Sequence, residues 1–111
     1  MDRELKRGTL DMVLLRLLSE REMYGYELTT MLDERTGGEL TVPDGTLYPV
    51  LYRLEKAGHV EPRWETQERG VPRKYYRLTQ AGKDELERSM AEWRSFAHAV
   101  ERLLEPQRAA R

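Results

Sequence analysis

The chain has 111 residues, with 19 Lys and Arg against 20 Asp and Glu, a formal charge of −1, and no cysteine. That is the length of one domain, and it excludes disulfides, thiolate metal sites and cysteine nucleophiles. No run reaches the roughly 18 apolar residues of a membrane span. The opening Met1-Asp2-Arg3-Glu4 lacks the basic and apolar segments of a signal peptide, so the expectation is a soluble, cytoplasmic protein with no membrane contact.

The first helix is predicted from Thr9, a candidate N-cap, with Asp11 in the first turn. Leu10, Val13, Leu14, Leu17 and Leu18 follow on one face. Met12 and Leu15 fall off that stripe and are expected to need another partner. The helix should fade around Ser19–Glu22. Met23-Tyr24-Gly25-Tyr26 leads into a second helix with Leu28, Met31 and Leu32 inward, ended by Gly37-Gly38. Leu40-Thr41-Val42 reads as an extended connection, because Pro43 keeps Val42 out of helix.

A third helix is predicted from Asp44 as N-cap to Gly58, burying Leu47, Val50, Leu51, Leu54 and Ala57. The period then changes. Val60–Glu65 and Tyr75–Leu78 read as paired strands around a polar loop, Thr66–Pro72, and Tyr75 and Tyr76 must face opposite ways. Thr79 caps a last helix that reaches Leu104, about 39 Å long at 1.5 Å per residue, before Pro106 and a frayed tail, Gln107–Arg111.

Charge is segregated along these elements. Residues 63–83 hold six basic residues (Arg63, Arg69, Arg73, Lys74, Arg77 and Lys83) and two acids, whereas residues 1–62 are net −4 and residues 84–111 net −1. A basic island on an acidic chain suits a polyanion held at one place. A solvated charged hairpin fits the same count.

Three helices, a hairpin and a helix make a mainly α fold with a small β-hairpin: a winged helix-turn-helix followed by a long C-terminal helix. Residues 1–78 are expected to form the winged domain and 79–111 a dimerisation helix with a short tail. Many winged helices put the third helix in the major groove and the wing beside a phosphate backbone. Others bind protein instead, and a protein-interaction module without DNA binding is the alternative reading.

The sequence resembles the PadR family of bacterial transcriptional regulators, in its short form with one C-terminal helix. The resemblance rests on Gly8-Thr9-Leu10, Tyr24-Gly25-Tyr26-Glu27-Leu28, Gly45-Thr46-Leu47-Tyr48-Pro49 with Leu54-Glu55 and Gly58, and Arg73-Lys74-Tyr75-Tyr76-Arg77-Leu78-Thr79 with Gly82. It implies a homodimeric DNA-binding regulator, usually a repressor, often relieved by a small molecule.

On the exposed side of the third helix, Thr46, Tyr48, Tyr52 and Arg53 are candidates for phosphates and base edges. Tyr48 has a competing role, packing on the wing or on the first helix. Arg69, Arg73 and Lys74 sit at or beside the wing tip as candidate phosphate or minor-groove contacts. In the last helix Leu86, Met90, Trp93, Ala97, Val100 and Leu104 recur at heptad-like spacing, flanked by Phe96, Ala99 and Leu103. This seam predicts a two-fold dimer, with Met12 and Leu15 as further contacts, presenting two third helices to an inverted-repeat site on double-stranded DNA. The other possibility is that the helix folds back over its own domain. By resemblance, Trp93 could stack on a small aromatic or hydrophobic effector, with Met90 and Ala97 as walls. The plainer reading of Trp93 is an interface anchor. His59 and His98 lie in separate elements, no serine has a base at hand, and no glycine-rich phosphate loop occurs. Neither catalysis nor a metal or other cofactor is expected.

Overall fold

The computed structural model describes residues 3–107, and side chains from Gly8 onward; Met1, Asp2 and the expected frayed end, 108–111, lie outside the described residues. Four helices, α1 (Arg3–Leu18), α2 (Gly25–Arg35), α3 (Asp44–Lys56) and α4 (Gln80–Leu104), enclose a sheet of β1 (Met23–Tyr24), β2 (Val60–Glu65) and β3 (Arg73–Leu78). The strands run antiparallel in the order β1-β3-β2. The hairpin is as the alternation predicted. The third strand is new: the extended entry to α2 lies beside β3, pairing Met23 with Tyr76 and Tyr24 with Tyr75, which buries Met23 completely.

Leu14, Leu17 and Leu18 of α1, Leu28 and Leu32 of α2, and Leu47, Val50, Leu51 and Leu54 of α3 form the core with Met23, Val60, Tyr76 and Leu86. Tyr76 is the core member of the tyrosine pair, and Tyr75 lies on the other face of the sheet. Each fully buried aliphatic side chain contributes about 1.5–3 kcal/mol, so these positions hold the helices in register.

Several expectations need correction. Thr9 caps nothing, because α1 already runs from Arg3; the preceding stretch of Arg, Glu, Leu and Lys consists of strong helix formers that carry the helix past Gly8. Leu15 is no dimer contact. It is 1% exposed within its own core, since α1 is covered by neighbours on more than one side. Asp44 is the first residue of α3 rather than its cap: the Pro43 carbonyl accepts the amides of Thr46 and Leu47 at 2.9 and 3.0 Å. Ala57 is the exposed C-cap of α3, not part of its buried face.

β2 forms an outer strand of the sheet and carries Pro62 at its middle, opposite Tyr76. Thr79 caps α4 as expected, accepting the Gly82 amide at 3.0 Å while its hydroxyl donates to the Gly58 carbonyl at 2.6 Å. Gly82 is required by close approach: a Cβ there would fall 2.6 Å from Leu78 Cδ1 and closer still to the His59 carbonyl oxygen. Leu86 is therefore an anchor into the chain's own core, and Met90 packs against that core. Beyond it α4 runs on past the core, ending in the exposed Leu103 and Leu104. The molecule measures 73 × 28 × 23 Å with a radius of gyration of 17.1 Å, against about 13 Å for a compact chain of this length.

Candidate nucleic-acid interface

α3 exposes the side opposite its leucines. Thr46, Tyr48, Pro49 and Tyr52 are all exposed there. Tyr48 and Tyr52, one turn apart, lean toward the wing. β-strand alternation sends Trp64, Lys74 and Tyr76 to the α3 side of the hairpin, and Trp64 and Lys74 lie beyond the core, nearer the tip. Together Tyr24, Gly25, Tyr48, Tyr52, Trp64, Pro72, Arg73, Lys74 and Tyr76 line an open hollow of about 530 Å³ between α3 and the wing. The hollow thus brings together four of the predicted DNA-facing residues: Tyr48, Tyr52, Arg73 and Lys74. Thr46 and Arg53 lie on the adjoining stripe of α3, and Arg69 stands exposed on the loop between the strands.

Three of the six basic side chains of the island are ion-paired within the molecule. Arg63 pairs with Glu22 and, at 3.4 Å, with Glu65. Its hydrogen bonds hold the Glu22 carboxyl below the usual carboxylate range. Arg77 pairs with Glu61 at 2.7 Å. Lys74 Nζ lies 3.2 Å from Glu55 Oε1 of α3, an oxygen shut off from solvent. Burial works against the Lys74 charge, but Glu55 and the Tyr76 phenol outweigh it and keep the ammonium above its ordinary value. On α3, Arg53 Nη2 lies 2.5 Å from Asp11 Oδ1 of α1. By contrast, Arg69 has no ion pair among the described residues, and Arg73 lies over the Tyr24 ring, 4.6 Å from its centroid. A hydrogen bond to Tyr75 and then the nearby Tyr24 favour its charged form.

The ring edge of Tyr48 rests on Gly25, at the start of α2.

A second depression, about 400 Å³, lies between α1 and α4. Met12, Trp93 and Phe96 supply its apolar walls, and Asp11, Glu85, Arg88, Ser89 and Glu92 its polar rim. Met90 lines a smaller neighbouring hollow with Met12, Val13, Arg16, Trp93 and Arg94. Ala97 and Val100, both half-buried, and the exposed Leu104 line neither. Asp11 thus borders the groove while holding Arg53 of α3.

Sequence reasoning missed Trp64 as a wall of the α3–wing hollow. Its signal was present: Trp64 shares strand parity with the buried Val60 yet lies toward the tip, where no core remains. The carboxylate partners Asp11, Glu22 and Glu55 left no comparable trace, since each comes from another element. Among the described residues no group of three or more His, Asp or Glu side chains could hold a metal ion, and no helix is long and apolar enough to cross a membrane.

Comparison with known proteins fits this geometry. Residues 14–88 match the transcriptional regulator PadR-like family, a stretch that includes α3 and the wing and ends before Trp93. The chain is 32% identical over 77 residues to the negative transcriptional regulator PadR of Bacillus subtilis, covering 69% of this chain and 42% of that protein. A PadR family transcriptional regulator from Eggerthella lenta superposes with a TM-score of 0.81 at 36% identity, over 94% of this chain and 88% of the other. A transcriptional regulator from Clostridium thermocellum gives 0.84 at 27% identity, over 92% and 99%.

Proposed function

This chain belongs to the transcriptional regulator PadR-like family, whose members are DNA-binding regulators rather than enzymes, and on that premise we propose that it is a homodimeric repressor of an inverted-repeat operator, relieved by a small aromatic or hydrophobic effector. In this reading residues 1–78 hold the DNA and 79–111 pair the protomers. The observation that carries it is the hollow in which the tyrosines of α3 meet Arg73 and Lys74 of the wing. The name of the Bacillus subtilis relative, a negative regulator, supports the repressor sign.

The ion pairs rank the candidate contacts. Arg69 and Arg73, which form no ion pair among the described residues, grip phosphates. Thr46, Tyr48 and Tyr52 meet phosphate oxygens and base edges. Arg53 and Lys74 carry charges already offset by Asp11 and Glu55, so they orient more than they attract. The bare half of α4 supports the dimer: Trp93, Phe96, Leu103 and Leu104 are large, apolar and exposed. The α1–α4 groove, with Trp93 and Phe96 as walls, is the effector's seat. Because its rim includes Asp11, a ligand there touches the residue that holds Arg53 on α3.

The test is fluorescence anisotropy with a labelled duplex from upstream of the protein's own gene, against a scrambled duplex, as salt rises. Two unpaired arginines from each protomer make about four phosphate contacts, a log–log salt slope near −3.6 and a loss of roughly 100-fold between about 50 and 200 mM salt. Equal binding to both duplexes overturns sequence specificity at that site. No binding at the lowest salt overturns the DNA reading.

A further inference from the structure

We propose that Gly25, which lies on α2 and outside the recognition helix, is a positioning residue for sequence recognition, because it alone leaves room for the Tyr48 phenol. The inference rests on the reading of the α3–wing face as the DNA surface. Gly25 is buried at the first position of α2. A Cβ built on it would fall 2.8 Å from Tyr48 Cζ and 3.2 Å from Cε1, and closer still to the hydroxyl. No real side chain tolerates that approach, so the ring sits where it does only because residue 25 has none.

The obstacle is of a particular kind. It is the outer end of a side chain that is 47% exposed, not a piece of backbone. An alanine at 25 therefore has a cheap way out: the phenol swings off α2 toward solvent, and α2 and α3 keep their leucines in the core. The predicted result is a folded protein whose recognition tyrosine points elsewhere. Fixing a hydroxyl against a rigid neighbour also reduces the rotamer freedom it would lose on binding. The phenol's placement then follows from the junction between α2 and α3, since Gly25 and the preceding Tyr24 both border the hollow it overlooks. Tyr24 is itself tied down, its amide donating to Glu27 Oε1 at 3.2 Å.

The test is a double-mutant cycle of wild type, Gly25→Ala, Tyr48→Ala and the double variant, read by operator affinity, scrambled-duplex affinity and thermal unfolding. Gly25→Ala is expected to weaken operator binding roughly tenfold, within the range of one good base contact, and to leave the scrambled duplex unaffected. On the Tyr48→Ala background it should cost nothing further in affinity or in Tm, because the ring it displaces is gone. Should Gly25→Ala alone fold poorly, restored folding in the double variant still supports the contact. Losses that multiply, a Tm drop of equal size on both backgrounds, or wild-type operator affinity for Gly25→Ala would overturn the inference. If wild type itself shows no operator preference, the DNA reading fails instead, and the Tm cycle reports separately on the contact.

Discussion

The two halves of α4 carry the same apolar rhythm and meet different fates. From Gln80 to Met90 the rhythm is answered within the chain: Leu86 enters the core, Gly82 lets the helix lie against the His59 carbonyl, and Met90 closes over the edge. From Trp93 to Leu104 it is answered only in part: Trp93 and Phe96 wall the groove against α1, Ala97 and Val100 are half-buried, and Leu104 is left 70% exposed. Periodicity therefore reports that a face wants cover and says nothing about who covers it. The first half is stability within one chain; the second ends in exposed apolar surface at Leu103 and Leu104.

Four experiments would sharpen or break that contrast. Leu86→Ala is expected to cost the most, about 3 kcal/mol in denaturant unfolding, as for other leucines truncated in a closed core. A loss below 1 kcal/mol would mean the first half is as loosely held as the second. Gly82→Ala comes next, about 2 kcal/mol, because the obstruction includes backbone that cannot swing aside. Trp93→Ala should change unfolding of the separated protomer by less than about 0.5 kcal/mol, as a surface position does, while sedimentation shows dimer dissociating at higher protein concentration. Unchanged association would remove Trp93 from the proposed interface. The smallest effect is electrostatic. Hydrogen bonds from Arg88 hold the Glu85 carboxyl below its ordinary value of 4.5, so its contribution is present above that pH and fades as pH falls through the lowered value. Glu85→Gln should lower the neutral plateau of a stability–pH curve slightly, and so flatten its acid limb, while leaving stability below the lowered value unchanged.

Element order, the hairpin, the Thr79 cap and most core leucines were legible in the sequence because each depends on local spacing. Thr9 shows the limit of that logic: a good cap residue acts as one only where a helix begins, and the residues before it already favoured helix. Leu15 shows another, since a helix enclosed on several sides buries more than one stripe. For the candidate site, residue choice was legible and charge state was not. Arg53 and Lys74 read as open cations until Asp11 of α1 and Glu55 of α3 are brought beside them by tertiary structure. Tyr48 could be placed on the exposed flank of α3 from spacing alone, but its seat on Gly25 joins residues with no shared periodicity.

Pro62 has a consequence for how such molecules behave when crowded. An outer strand offers a row of unpaired amides and carbonyls to any neighbour, the usual seed of edge-to-edge aggregation. In β2 the middle residue has no amide to offer, and β1 at the opposite margin is only two residues long. An adjacent copy that approached β2 would therefore meet an interrupted template, with a gap at the middle of the strand.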